Sequence, residues 1–274
     1  MKYSRIAVFF FSPTGNTRLA AREIGRRLGE LMAAPVDEFD FTTPEARQDR
    51  HAFSPDNLVV FASPVYAGRL PNKLLPYIRE GFCGNGAYAV PVVTFGNRSF
   101  GNALMELRCE LEHNGFHTIA GAAFAMRHAF SDRLAPGRPD EQDRALLEEF
   151  IRRTAQRASL LTAPPAPVDV AGNCPVGPYY TPLGLDGKPV NFLKAVPKIA
   201  PERCTGCGTC AQVCCMGSIQ SQAPWNTTGL CIKCHACVRA CPSGARFFDD
   251  PALLSHLAML EQHLTQRQDS VYFL

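Results

Sequence analysis

Nine of the chain's twelve cysteines lie between Cys204 and Cys241, and eight of these form two runs of the same spacing. Cys204, Cys207, Cys210 and Cys214 recur as Cys231, Cys234, Cys237 and Cys241, and Gly217 likewise recurs as Gly244, every pair 27 positions apart. Each run reads C-x2-C-x2-C-x3-C. Disulfide partners would be scattered, so this is metal spacing within a duplicated unit.

The physical sense of the spacing is that three thiolates on one tight loop reach three irons of a cubane, while the fourth iron is reached from elsewhere. CTGCGTCAQVC and CIKCHACVRACP resemble the bacterial two-cluster ferredoxins, in which the fourth cysteine of each run serves the other cluster. That resemblance implies one [4Fe-4S] cluster on Cys204, Cys207, Cys210 and Cys241 and a second on Cys231, Cys234, Cys237 and Cys214. A zinc ribbon is the rival, because Cys207-x2-Cys210 and Cys231-x2-Cys234 also carry ribbon spacing. Zinc would leave four regularly placed cysteines without a purpose. Only the second run keeps the family's proline after its last cysteine; the first has Cys215 there, and the spacing favours Cys214 as the ligand. Cys83, Cys109 and Cys174 fall outside the pattern and are expected to behave as small buried hydrophobes.

A chain of 274 residues with 46% hydrophobic content has room for two domains. From residue 5 to about 161, short apolar runs alternate with amphipathic stretches, the pattern of a parallel sheet covered by helices on both faces. Five strands are expected, at Ile6 to Phe11, Val36 to Phe41, Leu58 to Ala62, Ala87 to Phe95 and His117 to Ala125. Residues 140–161 read as the closing helix. Residues 162–201 hold nine prolines and four glycines, which excludes regular structure. The aromatic and apolar residues among them argue for a linker that packs along a surface. The expected division is 1–161, a linker at 162–195, the cysteine-rich domain at 196–250, and a C-terminal helix and tail at 251–274.

The segment VFFFSPTGNTRLA places a hydroxyl-rich loop between the first strand and the first helix, where unpaired N–H groups favour an oxyanion. It has neither a Walker lysine nor G-x-G-x-x-G, so ATP and Rossmann dinucleotides are not the expected ligands. SPTGNT resembles the flavodoxin loop that holds the phosphate of FMN, which would be bound by Ser12, Thr14, Gly15, Asn16 and Thr17. FASPVYAGRLP and VTFGNRSFG follow the third and fourth strands, where the ring-binding loops of flavodoxins lie. By that resemblance Tyr66 stacks on the ring, Pro64, Val65, Ala67 and Gly68 supply backbone contacts, and Thr94, Phe95, Gly96 and Asn97 line the other side.

The whole chain resembles the flavodoxin-ferredoxin fusions of anaerobes, which implies a doubly wound five-stranded parallel sheet of order 2-1-3-4-5 followed by a small α+β ferredoxin domain with two [4Fe-4S] clusters. Electron transfer between clusters and FMN is the implied function. It would serve a redox partner protein or, alternatively, an anionic small molecule reduced at the flavin. Arg69, Arg98, Arg127, Arg133 and Arg138 lie in or beside the loops expected at the ring and are candidates for an electropositive mouth. The net charge of +3 lacks the concentration that nucleic-acid binding needs. No membrane span or cleavable leader is visible, and thiol-rich metal sites suit a reducing compartment, so a cytoplasmic location is expected.

Overall fold

The computed structural model describes residues 3–274; Met1 and Lys2, which open the chain ahead of the first apolar run, lie outside them. The first part comprises β1 (Arg5–Phe10), α1 (Asn16–Met32), β2 (Val36–Asp40), β3 (His51–Ala52), β4 (Asn57–Pro64), α2 (Leu75–Glu80), β5 (Phe82–Cys83), β6 (Tyr88–Phe95), α3 (Ala103–His113), β7 (His117–Thr118), β8 (Gly121–Ala125) and α4 (Glu141–Leu160). The cysteine-rich part adds β9 (Lys198–Ile199), α5 (Thr209–Gln212), α6 (Ala236–Arg239), β10 (Arg246–Phe247), α7 (Pro251–His263) and β11 (Val271–Phe273).

The main sheet runs β11-β8-β6-β4-β1-β2, and β7 pairs with β6. Strands β4 and β6 are apolar almost throughout because helices cover them on both sides. One face buries Phe9, Phe11, Phe41, Phe61 and Phe82 with α2 and α3. The other buries Ile6, Val8, Phe10 and Phe124 against Ile24 and Leu28 of α1 and Phe150 and Ile151 of α4. Helix α1 lies close on the sheet because it has glycine at the contact: a Cβ on Gly25 would come 2.3 Å from Val8 Cγ2, and one on Gly29 2.4 Å from Val36 Cγ2. Asp140 caps α4 by accepting from Asp143 N, while the Asp143 carboxylate accepts from Asp140 N.

Two expectations need correction. The fifth strand is not continuous over 117–125: it breaks at Ile119 and Ala120 into β7 and β8, both pairing with β6. The sheet also gains an antiparallel edge strand, because β11 pairs with β8 through Val271↔Ala123, Tyr272↔Ala122 and Phe273↔Gly121. The tail therefore belongs to the first domain's sheet. Helix α7 packs Met259 and Leu260 on Leu134 of the loop after β8.

The linker is a strap laid along the first domain. Val168 and Val170 are buried in its core, and Tyr180 N donates to Ala67 O at 2.8 Å. The cysteine-rich part is built from the β9–β10 pair, two four-residue helices and a small core of Cys210, Ile219 and Cys237.

Candidate functional site

The two cysteine runs fold alike. Gly217 and Gly244 take φ 62° and 63°, and the N–H of the next residue turns back onto sulfur: Ser218 N donates to Cys214 Sγ at 3.3 Å and Ala245 N to Cys241 Sγ at 3.2 Å. These three pairs match at the same 27-residue offset. Cys204, Cys207 and Cys210 line one pocket together with Cys241. Cys231, Cys234 and Cys237 line a second with Cys214 and Cys215. The fourth cysteine of each run thus crosses to the other run's cavity.

The donor set suits an anionic, thiolate-held group. Besides the two bonds above, Lys233 N donates to Cys231 Sγ at 3.4 Å and Arg246 Nη2 to Cys210 Sγ at 3.5 Å. A hydrogen bond with Thr209 holds the Cys207 thiol below its ordinary range, whereas burial pushes Cys237 up to about 12. Among the described residues, no three His, Cys, Asp or Glu side chains are gathered around a single-ion position. Cys215 differs from Cys214: it is buried in the first domain's core, its carbonyl accepts from Arg47 Nη2 at 2.6 Å, and its thiol donates to Cys234 Sγ at 3.4 Å.

The loop after β1 presents an anion cradle. Gly15, at φ 88°, caps α1 without a side-chain bond, and the N–H groups of Thr14, Asn16 and Thr17 have no partner among the described residues. The expected side-chain donors divide in role. Ser12 Oγ accepts from Arg18 N at 2.9 Å, Asn16 Nδ2 donates to Arg127 O at 2.7 Å, and Thr17 Oγ1 lies 2.7 Å from Thr94 Oγ1. These three position the loop, leaving the backbone N–H groups and Thr14 for a phosphate. The residues fit FMN in that respect.

In the loop after β4, Tyr66 and Arg69 exchange both backbone bonds, at 2.8 and 3.0 Å, around Ala67 and Gly68 at φ 49° and 77°. This is a tight turn of the kind that demands two left-handed residues. Val65 N donates to Thr94 O at 2.8 Å, which joins this loop to the end of β6. Phe95 is buried against Phe100. Gly96 is required, since a Cβ there would meet His128 at 2.4 Å. Asn97 spends its amide elsewhere: it donates to Leu264 O and Gln266 O and accepts from Gln268 N, tying down the tail.

Tyr66 brings the two sites together. Its phenol is held well above the ordinary range, first by burial and then by the nearby sulfurs of Cys234, Cys215 and Cys231, and Val65 beside it packs on the same core as Cys215 and Cys234. The second cysteine run docks further on the loop after β8. Arg239 donates to Ala129 O at 3.0 Å and pairs with Asp132 at 2.6 Å, and His235 stacks between Phe130 and Phe248, at 4.3 and 4.7 Å.

The arginines do not form one mouth. Arg69 is held by the buried Glu106 at 2.5 Å, and Arg138 is buried against Asp143. Arg127 and Arg133 sit at the surface beside Asp132 and Glu261. Arg98 alone of the five has no carboxylate partner among the described residues; it lies over the Tyr180 ring at 4.0 Å. Sequence reasoning missed His128, Phe130 and His235. The available signal was aromatic residues interleaved in the loop after the fifth strand and in the second cysteine run. Cys83 and Cys174 are exposed and Cys109 is half-buried, so the expectation that all three are buried fails.

Residues 197–214 and 227–247 match the family model described as a 4Fe-4S binding domain. Among solved structures, an archaeal flavodoxin is 15% identical, covering 57% of this chain and 96% of its own, with a TM-score of 0.36. A Streptococcus pneumonia flavodoxin is 17% identical over 56% of this chain and 97% of its own, with a TM-score of 0.40. Megasphaera elsdenii flavodoxin is 15% identical over 55% and 98%, with a TM-score of 0.34. No curated protein gives a match. The first domain has a flavodoxin-like α/β fold, as its own sheet order and loop placement show. The chain as a whole is that fold followed by a ferredoxin-type 4Fe-4S region, the composition of an iron-sulfur flavoprotein. No helix among the described residues is long and apolar enough to cross a membrane.

Proposed function

We propose that this protein carries electrons between two [4Fe-4S] clusters and FMN, for delivery to a redox partner, in the cytoplasm. The observation that carries it is that Cys215 is buried in the first domain's core with Ile232 and Cys234 of the second run and Val65 of the loop after β4 packed against that core, which sets the ring-binding loop of one domain against a cluster cavity of the other. The clusters would supply one-electron carriers, and FMN a centre that holds one electron or two.

The chain's own residues set the order of the sites. Cys231, Cys234, Cys237 and Cys214 would hold the inner cluster beside Tyr66, and Cys204, Cys207, Cys210 and Cys241 the outer one. Thr14 and the N–H groups of α1's first turn would hold the phosphate. Tyr66 would cover the ring, and the tight turn behind it fixes that position. Protein purified without oxygen is expected to contain one FMN with about eight iron and eight sulfide. About two zinc and no acid-labile sulfide overturns the assignment.

A second reading rests on Arg98. A half-buried guanidinium without a carboxylate suits an FMN-dependent reductase of an anionic small molecule. After rapid mixing with dithionite, Arg98→Ala should raise the apparent KM of such an acceptor and leave internal electron transfer unchanged. If no anionic acceptor reoxidises the protein, the reductase reading fails and the carrier reading stands.

A further inference from the structure

Two cysteines outside the cluster runs meet across the strap. Cys109 on α3 and Cys174 in the strap place their sulfurs 4.0 Å apart, although 65 positions separate them. Cys174 is exposed and Cys109 half-buried. The strap is anchored here on both sides. Val168 and Val170 are buried in the first domain, Asn173 N donates to Asn102 Oδ1 at 2.8 Å, and a Cβ on Gly172 would collide with Met105 at 2.5 Å. The backbone therefore holds Cys174 over α3.

We propose that Cys109 and Cys174 form a reversible disulfide that locks the strap onto α3. Bond formation needs the sulfurs to close from 4.0 Å to about 2 Å. Residues 171–175 belong to no helix or strand, so the movement falls on the strap. The oxidant is a small-molecule disulfide. The exposed Cys174 sulfur, as thiolate, attacks one of its sulfurs, forming a mixed disulfide and expelling the other half as a thiolate. Cys109 then loses its proton and attacks the Cys174 sulfur, expelling the second half. The protein gives up two electrons and two protons, and the small disulfide becomes two thiols. Burial holds the Cys109 thiol above its ordinary range, so the exposed Cys174 reacts with the small disulfide first and Cys109, held 4.0 Å away, resolves the mixed disulfide. In a reducing compartment the pair rests as thiols, and a disulfide there is a transient, redox-sensing one.

What the bond would restrain lies just downstream. Gly177 O accepts from Arg69 Nη1 at 2.5 Å, Tyr179 OH donates to Leu70 O at 2.8 Å, and Tyr180 N donates to Ala67 O at 2.8 Å. The strap thus backs the loop that carries Tyr66. Closing the disulfide restrains that loop from behind.

The full chain, anaerobic and with its clusters intact, would be treated with oxidised glutathione, alkylated and digested. Mass spectrometry should recover a dithiothreitol-sensitive peptide pair joined through Cys109 and Cys174, about 2 Da lighter than the two thiols, while Cys83 is alkylated or glutathionylated. Hydrogen exchange over residues 168–180 should slow in the oxidised protein and not in Cys174→Ser, a change at an exposed position. Recovery of Cys109 and Cys174 as free thiols or as glutathione adducts overturns the proposal. A cross-link that leaves exchange over 168–180 unchanged overturns the lock.

Discussion

The two cysteine runs share a backbone and differ in what they show to the rest of the chain. At two positions both must adopt positive φ. In the first run these are Gly206 and Gly208, at 70° and 74°; in the second they are Lys233 and His235, at 54° and 62°. A side chain in that conformation costs about 1–2 kcal/mol, which glycine avoids. The second run bears the cost and uses the side chains. Lys233 Nζ reaches Leu193 O of the strap, and His235 stacks on Phe130 of the first domain. Arg239 grips the loop after β8, while its counterpart Gln212 is exposed. The first run stays bare: Gly206 and Cys207 are exposed, and nothing lies within 4 Å of a Cβ placed on Gly206 or Gly208. The chain carries two like cysteine loops, and side chains on one of them decide which is set against the loop after β8.

Ligand removal gives the largest expected effect. Cys214→Ala and Cys241→Ala should each lower iron from about eight to about four per chain. Only the first should stop internal transfer to the flavin, read by rapid mixing with dithionite. Equal loss in both would break the distinction between inner and outer runs.

Acid tests the seam itself. Burial, with His256, Arg239 and Arg98 nearby, depresses His128 to about 4. The unfolded chain then binds this proton first, so stability is retained above pH 6.5 and lost as the pH falls toward 4. Between pH 7 and 5 this amounts to about 2 kcal/mol. Denaturant melts of His128→Gln should lose that share of the pH dependence.

A smaller change sharpens the assignment of neighbouring thiols. Cys215→Ala should keep both clusters by iron count and EPR, because Ser218 N already marks Cys214 as the sulfur in register with Cys241. Loss of the Cys215 thiol donor to Cys234 should lower the potential of one cluster and leave the other alone. The smallest effect belongs to Gly208→Ala, about 1 kcal/mol of backbone strain with no loss of iron, seen as a slightly lower melting temperature.

Much of this was legible because the signals are local. The cysteine offset, the SPTGNT loop and the apolar runs of β1, β4 and β6 each declare themselves within a few residues. What escaped depends on distant partners. Arg69 and Arg138 read as mouth residues because nothing near them shows that Glu106 and Asp143 fold back onto them. Asn97 was expected at the ring, and its amide instead holds tail residues 264–268. Strand β11 is three residues of the tail, too short for periodicity to reveal, and it exists because β8 offers an edge. Helix α7 ends at His263, releasing the chain to make that crossing.

Strand β11 also affects how the protein must be made. Synthesis proceeds from the N-terminus, so the first domain leaves the ribosome with β8 as an open edge, and that edge can pair with a second nascent chain. It is closed only when residues 271–273 emerge, after the whole cysteine-rich region has been translated. The cysteine-rich region thus lies in the chain between the open edge and the strand that closes it. A chain cut short anywhere before residue 271 would leave that edge exposed, and a fault in the tail would be felt as aggregation of the first domain.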